Sequence, residues 1–125
     1  MDHIDLEAAR SRDIPVGNTP DVLNGATADM AMALILAVVR RICEGDRTVK
    51  AGQFKIAPTE ELAVMTLGMV GCGRIGGVVT RRAAAFGMKL LVYDPYLEPS
   101  QVEELGATSV GLDELLAGSH VVSLH

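Results

Sequence analysis

Hydrophobic and polar positions follow two regimes along the chain. From Met65 onward, short apolar runs of strand length alternate with mixed stretches that end in glycine. Met65 to Val70, Met88 to Tyr93, Thr108 to Val110 and Val121 to Leu124 read as strands. Between them, Ile75 to Phe86 reads as a helix stopped by Gly87. Pro99 to Leu105 and Leu112 to Ala117 read as shorter helices closed by Gly106 and Gly118. The order is βαβαβαβ, which predicts an α/β fold on a parallel sheet.

Ahead of Met65 the pattern is mainly helical. Met30 to Val39 is an unbroken apolar run inside a long helix predicted from about Ala26 to Lys50. A membrane span needs roughly 18 apolar residues or more, and Asp29 and Arg40-Arg41 flank this shorter run. A helix apolar on every side is expected to be buried on more than one side. His3 to Arg12 reads as a short helix with Asp5 as N-cap. Ile14-Pro15-Val16 reads as a short strand that Pro15 confines to an edge or a strand start. Gly17-Asn18-Thr19-Pro20 is turn chemistry, and a domain boundary is expected between Pro20 and Gly25, dividing 1–22 from 23–125. Gly45 to Ala63, interrupted by Gly52 and Pro58, reads as a helix end and a connecting loop.

The strand–turn–helix–strand unit at 65–94 carries the first chemical signal. Gly71-Cys72-Gly73-Arg74-Ile75-Gly76 fits G-x-G-x-x-G, the dinucleotide-binding fingerprint. In that pattern Gly71 makes the sharp turn, Gly73 admits a pyrophosphate against the backbone, and Gly76 lets helix and strand pack closely. The amides of Arg74, Ile75 and Gly76 fall in the first turn of a helix, where unpaired N–H groups and the dipole favour an anion. Asp94 ends the second strand, 18 residues past Gly76, where the fingerprint places a carboxylate for the ribose hydroxyls. It also suits the turn before Pro95, and both roles are compatible. Residues 95–98 hold no cation to welcome a 2′-phosphate, so NAD is expected rather than NADP.

Composition narrows the setting. The 125 residues make one modest domain, and a net charge of −5 with a pI near 5.1 argues against a nucleic-acid surface. The scattered Lys and Arg predict no basic membrane-binding face. Cys43 and Cys72 lack any C-x-x-C spacing and fit a reduced, cytoplasmic protein. Residues 1–13 are mostly polar and show no signal-peptide pattern, and no metal-ligating set is read. Hydrophobic residues at 49%, with 13 glycines besides, exceed the usual combined share of about 45–50%. Strands buried on both faces account for part of the excess. The rest lies in the long helix and suggests a surface covered by a partner or by further chain.

Together these pieces resemble the NAD-dependent D-isomer-specific 2-hydroxyacid dehydrogenases. MDHIDLEAARSRDIPVGNTP is similar to the end of that family's substrate domain, and TADMAMALILAVVRRICEGDRTVKAGQF to its long interdomain helix. TLGMVGCGRIG and VYDPY resemble its cofactor loop and ribose-binding strand end. DELLAGSHVVSLH resembles the run into its His-x-Pro-Leu turn. VGNTPDVLNGATADMAMAL is similar to glyoxylate and hydroxypyruvate reductases, VYDPYLEP to the phosphoglycerate dehydrogenase branch, and the sequence does not separate the two.

The resemblance implies a partial doubly wound (Rossmann) parallel sheet, preceded by the apolar interdomain helix and truncated after its fourth strand. It also implies NAD(H) as cofactor, a small 2-hydroxy or 2-keto acid as the parent enzyme's substrate, and a homodimer through the long helix. Arg74 and Ile75 would contact the pyrophosphate and Asp94 the ribose. Thr27 would approach the nicotinamide side, and His125 would pass near the cofactor through its backbone. Thr27 reads equally as a helix N-cap, and His125 as a terminal residue without a fixed place. The family's catalytic Arg, Glu and His and its substrate-carboxylate loop have no match here, so the chain alone is expected not to be catalytic. His3 and His120 are expected at the surface. Val64-Met65 stands where the family usually has Gly-Lys, and His120 where it usually has Asp. A non-catalytic NAD(H)-sensing module of the co-repressor type is the alternative. An S-adenosylmethionine-binding fold is a weaker one, because the glycine spacing is of the NAD type.

Overall fold

In the computed structural model, residues 3–54 and 57–125 are described. Three helices come first: α1 (Leu6–Arg10), α2 (Asn24–Val39) and α3 (Ile42–Lys50). After a 3-10 turn at Leu62–Val64 the chain alternates β1 (Thr66–Val70), α4 (Arg74–Ala85), β2 (Lys89–Tyr93), α5 (Pro99–Glu103), β3 (Thr108–Ser109), α6 (Leu112–Gly118) and β4 (Val121–Leu124). The strands form one parallel sheet in the order β3-β2-β1-β4. This is the βαβαβαβ arrangement expected from the apolar runs.

The order reverses at β1, which pairs with β2 on one side and β4 on the other; Met69 lies beside both Val92 and Ser123. Right-handed crossovers then put α4 and α5 on one face and α6 on the opposite face. On the α4 side, Leu67, Met69, Val79, Ala83, Leu90, Val92 and Val102 form the core, and Ala28, Met32 and Ile35 of α2 complete it. Leu115 of α6, fully buried, fills the other side. Each of the larger side chains among these, Val, Leu, Ile or Met, contributes about 1.5–3 kcal/mol through burial.

The helix expected to run unbroken from Ala26 to Lys50 is instead two. It starts earlier, at Asn24, and ends at Val39. Arg41 then adopts a left-handed backbone (φ 49°) before α3 begins. Its apolar run is also not buried all round: Met30, Leu34 and Val38 are 60%, 58% and 73% exposed, so only one stripe packs on α4. The strand expected at Ile14–Val16 does not form, and the segment has no sheet partner. Asp5 does cap α1, accepting from the Ala8 amide at 2.8 Å. His120 is exposed as expected, but its ring is not idle. The β1 amide of Thr66 donates to its Nδ1 at 3.0 Å, and the His120 amide returns a bond to the Thr66 carbonyl at 2.9 Å. Among the described residues, no helix is long and apolar enough to cross a membrane.

Gly68 sits where β1 meets α6. A methyl group there would collide with Ser119 Oγ and lie 2.9 Å from Leu115 Cγ, in a spot Leu115 cannot vacate. Overpacking of this kind costs about 1–3 kcal/mol. Gly68→Ala is therefore expected to lower stability by about 2 kcal/mol in urea denaturation; an unchanged midpoint would show that α6 packs more loosely than described.

Candidate functional site

The carboxyl ends of β1, β2 and β4 are tied together at one point. The Gly71 amide donates to the Tyr93 carbonyl at 2.9 Å, and the His125 amide to the Val70 carbonyl at 3.0 Å. Gly71 turns the chain out of β1 with φ +87°, a conformation L side chains rarely adopt, and a Cβ on it would strike the His125 carbonyl. A Cβ on Gly76 would in turn strike the Gly71 carbonyl. These two positions bring β1, α4 and β4 into direct backbone contact.

Gly73 caps α4 without any side-chain hydrogen bond, and the first bond of the helix runs from the Gly77 amide to the Gly73 carbonyl. The amides of Arg74, Ile75 and Gly76 precede that bond and have no partner within the helix. A Cβ on Gly73 would meet nothing within 4 Å, so the backbone is open to an approaching group.

Asp94 faces this loop from the end of β2. Its Oδ2 accepts from the Cys72 amide at 2.7 Å and its Oδ1 from the Tyr96 amide at 2.9 Å. A carboxylate has about four acceptor positions, so two bonds leave room for a diol. Val70, Gly71, Gly73, Tyr93, Asp94, Pro95, Tyr96 and His125 line an open cleft of about 340 Å³, with no Lys or Arg among them. Tyr96 is 93% exposed at its rim.

A second, apolar cleft of about 490 Å³ lies between α2 and β4, and Thr27 and His125 line it together. His125 thus borders both clefts. It is held in place by its amide bond and by a 2.9 Å contact between its Nε2 and Ser123 Oγ. Partial burial holds its imidazole below the ordinary histidine value. Thr27 is not an N-cap: α2 begins three residues earlier, and the Thr27 amide donates to the Leu23 carbonyl.

Sequence reasoning passed over several contacts. The Cys72 thiol is buried under α4, 3.4 Å from Thr80 Oγ1, and the Thr80 hydroxyl bonds the Gly76 carbonyl at 2.8 Å. Burial pushes this thiol up from its ordinary value; Asp94 adds to the effect, while Thr80 and Arg81 offset it. Arg74 reaches Asp21, with Nε 3.4 Å from Oδ1. Arg82 holds Asp29 at 2.9 Å and the Gly25 carbonyl at 3.0 Å. Cys72 and Asp94 were individually visible in the sequence; Asp21 and Tyr96 lie within family-like stretches, but nothing local announces the contacts they make.

The parallel sheet, its reversal at β1 and the glycine turn define a dinucleotide-binding α/β domain. The family model for "D-isomer specific 2-hydroxyacid dehydrogenase, NAD binding domain" matches residues 32–125. The chain belongs to that family. Over 99% of its length it is 45% identical to a glyoxylate reductase of Thermococcus litoralis, covering 40% of that protein. Over its whole length it is 40% identical to a D-3-phosphoglycerate dehydrogenase of Archaeoglobus fulgidus, covering 24%. Its fold superposes on a D-lactate dehydrogenase from Aquifex aeolicus, complexed with NAD and lactic acid, with a TM-score of 0.89 and 38% identity; all of this chain is covered, and 38% of that one. The chain therefore spans between about a quarter and two-fifths of the length of these relatives. All three of these relatives are named as a reductase or dehydrogenases. NAD fits the residues present: an unobstructed Gly73, leading into the unpaired helix amides, lines one cleft with the Asp94 carboxylate.

The two thiols differ in reach, since Cys43 is exposed and Cys72 is buried. A thiol reagent added to native protein is expected to consume one equivalent rapidly and the second only on denaturation. Two rapid equivalents would mean that the glycine loop opens freely.

Proposed function

We propose that the chain is the NAD(H)-binding portion of an oxidoreductase acting on the CH–OH group of 2-hydroxy acids. One observation carries this reading. Gly73, whose backbone leads into the unpaired amides of α4, and the Asp94 carboxylate line the same cleft, braced across the Cys72 amide.

In this reading the amides of Arg74, Ile75 and Gly76 hold the pyrophosphate, helped by the α4 dipole and the Arg74 charge. Gly71 and Gly73 keep side chains out of its way. The two remaining acceptor positions of Asp94 take the ribose hydroxyls, and its charge, with no cation in the cleft lining, disfavours a 2′-phosphate. Thr27 and His125 border the nicotinamide side, where His125 presents its backbone. The bound cofactor supplies hydride transfer between its nicotinamide ring and C2 of a 2-hydroxy or 2-keto acid. Proton relay and substrate-carboxylate binding belong to the parent enzyme, so the chain alone turns over no substrate.

Residues 1–22 are read as the tail of a substrate domain and 23–125 as the NAD-binding domain. The exposed Met30, Leu34 and Val38 support a homodimer through α2. The unpaired Cys43 and Cys72 support a reducing, cytoplasmic setting.

A titration with NADH, followed by calorimetry or fluorescence transfer, tests the reading. Saturable binding is expected, with NADPH clearly weaker. Asp94→Ala should cost about 1.5–3 kcal/mol, roughly tenfold or more in affinity. Binding indifferent to Asp94, or equal for NADPH, would contradict the assignment.

A further inference from the structure

We propose that Asp21 is a positioning residue that restrains Arg74 in the cofactor-free chain and so sets the affinity for dinucleotide. The inference rests on the reading of Arg74 as a pyrophosphate contact, and it concerns a residue outside that site.

Two arginines of α4 reach α2 or the turn before it, and they are not equivalent. Arg82 is about one-third exposed and grips both the Asp29 carboxylate and the Gly25 carbonyl, at 2.9 and 3.0 Å. That is an anchor. Arg74 makes the longer contact, 3.4 Å from Nε to Asp21 Oδ1, with both side chains well exposed (66% and 62%). An exposed pair of this kind is weakly held and easily exchanged.

Asp21 does not depend on Arg74 for a partner, because its Oδ1 also accepts from Asn24 Nδ2 at 2.9 Å. Arg74 can therefore turn to an anion at the start of α4 while Arg82 keeps α2 docked. Until it does, Asp21 competes for the guanidinium, and its negative charge opposes an incoming pyrophosphate. Competition and repulsion act in the same direction: both weaken binding.

Asp21 has a left-handed backbone, φ 70°. Asparagine tolerates that region and keeps a side-chain oxygen for Asn24, so Asp21→Asn removes the charge with little disturbance of the fold. Asp21→Ser serves as a second variant, and thermal melts establish that each is folded.

NADH binding is measured for the unmodified chain, Asp21→Asn, Asp21→Ser, Arg74→Ala and the Asp21→Asn/Arg74→Ala double variant. Removing Asp21 is expected to tighten binding roughly two- to fivefold, the range of an exposed ion pair. Arg74→Ala should weaken binding, and the gain from Asp21→Asn should be smaller in that background, where only the repulsion remains; an undiminished gain there would refute the restraint. If Arg74→Ala weakens binding but the Asp21 variants leave it unchanged or weaker, the restraint is refuted and the site reading stands. If Arg74→Ala has no effect, or the unmodified chain does not bind, the reading of Arg74 falls and this inference with it.

Discussion

The fold and the site both depend on the backbone contact at Gly71. Its φ of +87° turns the chain out of the central strand, and the space its missing Cβ would take is held by the His125 carbonyl. Its own carbonyl fills the space that a Cβ on Gly76 would take. β1, the adjoining α4 and the sequence-distant β4 therefore meet backbone to backbone. A substituent at either glycine would push α4 or β4 off the end of β1, which would misdirect the unpaired amides at the start of α4.

Charge completes what the sterics begin. The helix start concentrates unpaired donors, and Asp94 braces the loop through the Cys72 amide instead of filling the anion position. The loop is thus shaped before any cofactor arrives, and little ordering entropy remains to be lost on binding. The chain belongs to the D-isomer-specific 2-hydroxyacid dehydrogenase family, whose NAD-binding-domain model matches residues 32–125, and it spans only a fraction of its relatives' length. Over that span the described residues form a four-stranded parallel sheet, a glycine turn after β1 and an acid, Asp94, at the end of β2.

The parts legible in the sequence were those set by local chemistry. The fingerprint, its flanking strands and Asp94 lie within thirty residues and follow from turn and helix-start rules. The succession of strands and helices followed from the apolar runs and the glycines that close them. The break at Arg40–Arg41 was not legible, because no Gly or Pro marks it and Arg41 takes up a left-handed backbone that its residue type does not announce. The exposure of Met30, Leu34 and Val38 was misjudged for a related reason: an apolar run states what can be buried, not what is available to bury it. Ile14–Val16 has strand composition but finds no edge to join. The Asp21–Arg74 and Cys72–Asp94 contacts join residues 53 and 22 positions apart, beyond the reach of periodicity.

The central claim is that the loop is braced by Asp94 and open only at the α4 amides. Amide hydrogen exchange resolved by residue tests it most directly, with and without NADH. The account predicts that the Cys72 amide is protected in the free chain while those of Arg74 and Ile75 exchange freely, and that NADH protects the latter two. A Cys72 amide exchanging as fast as its neighbours, or Arg74 and Ile75 amides unaffected by NADH, would contradict it.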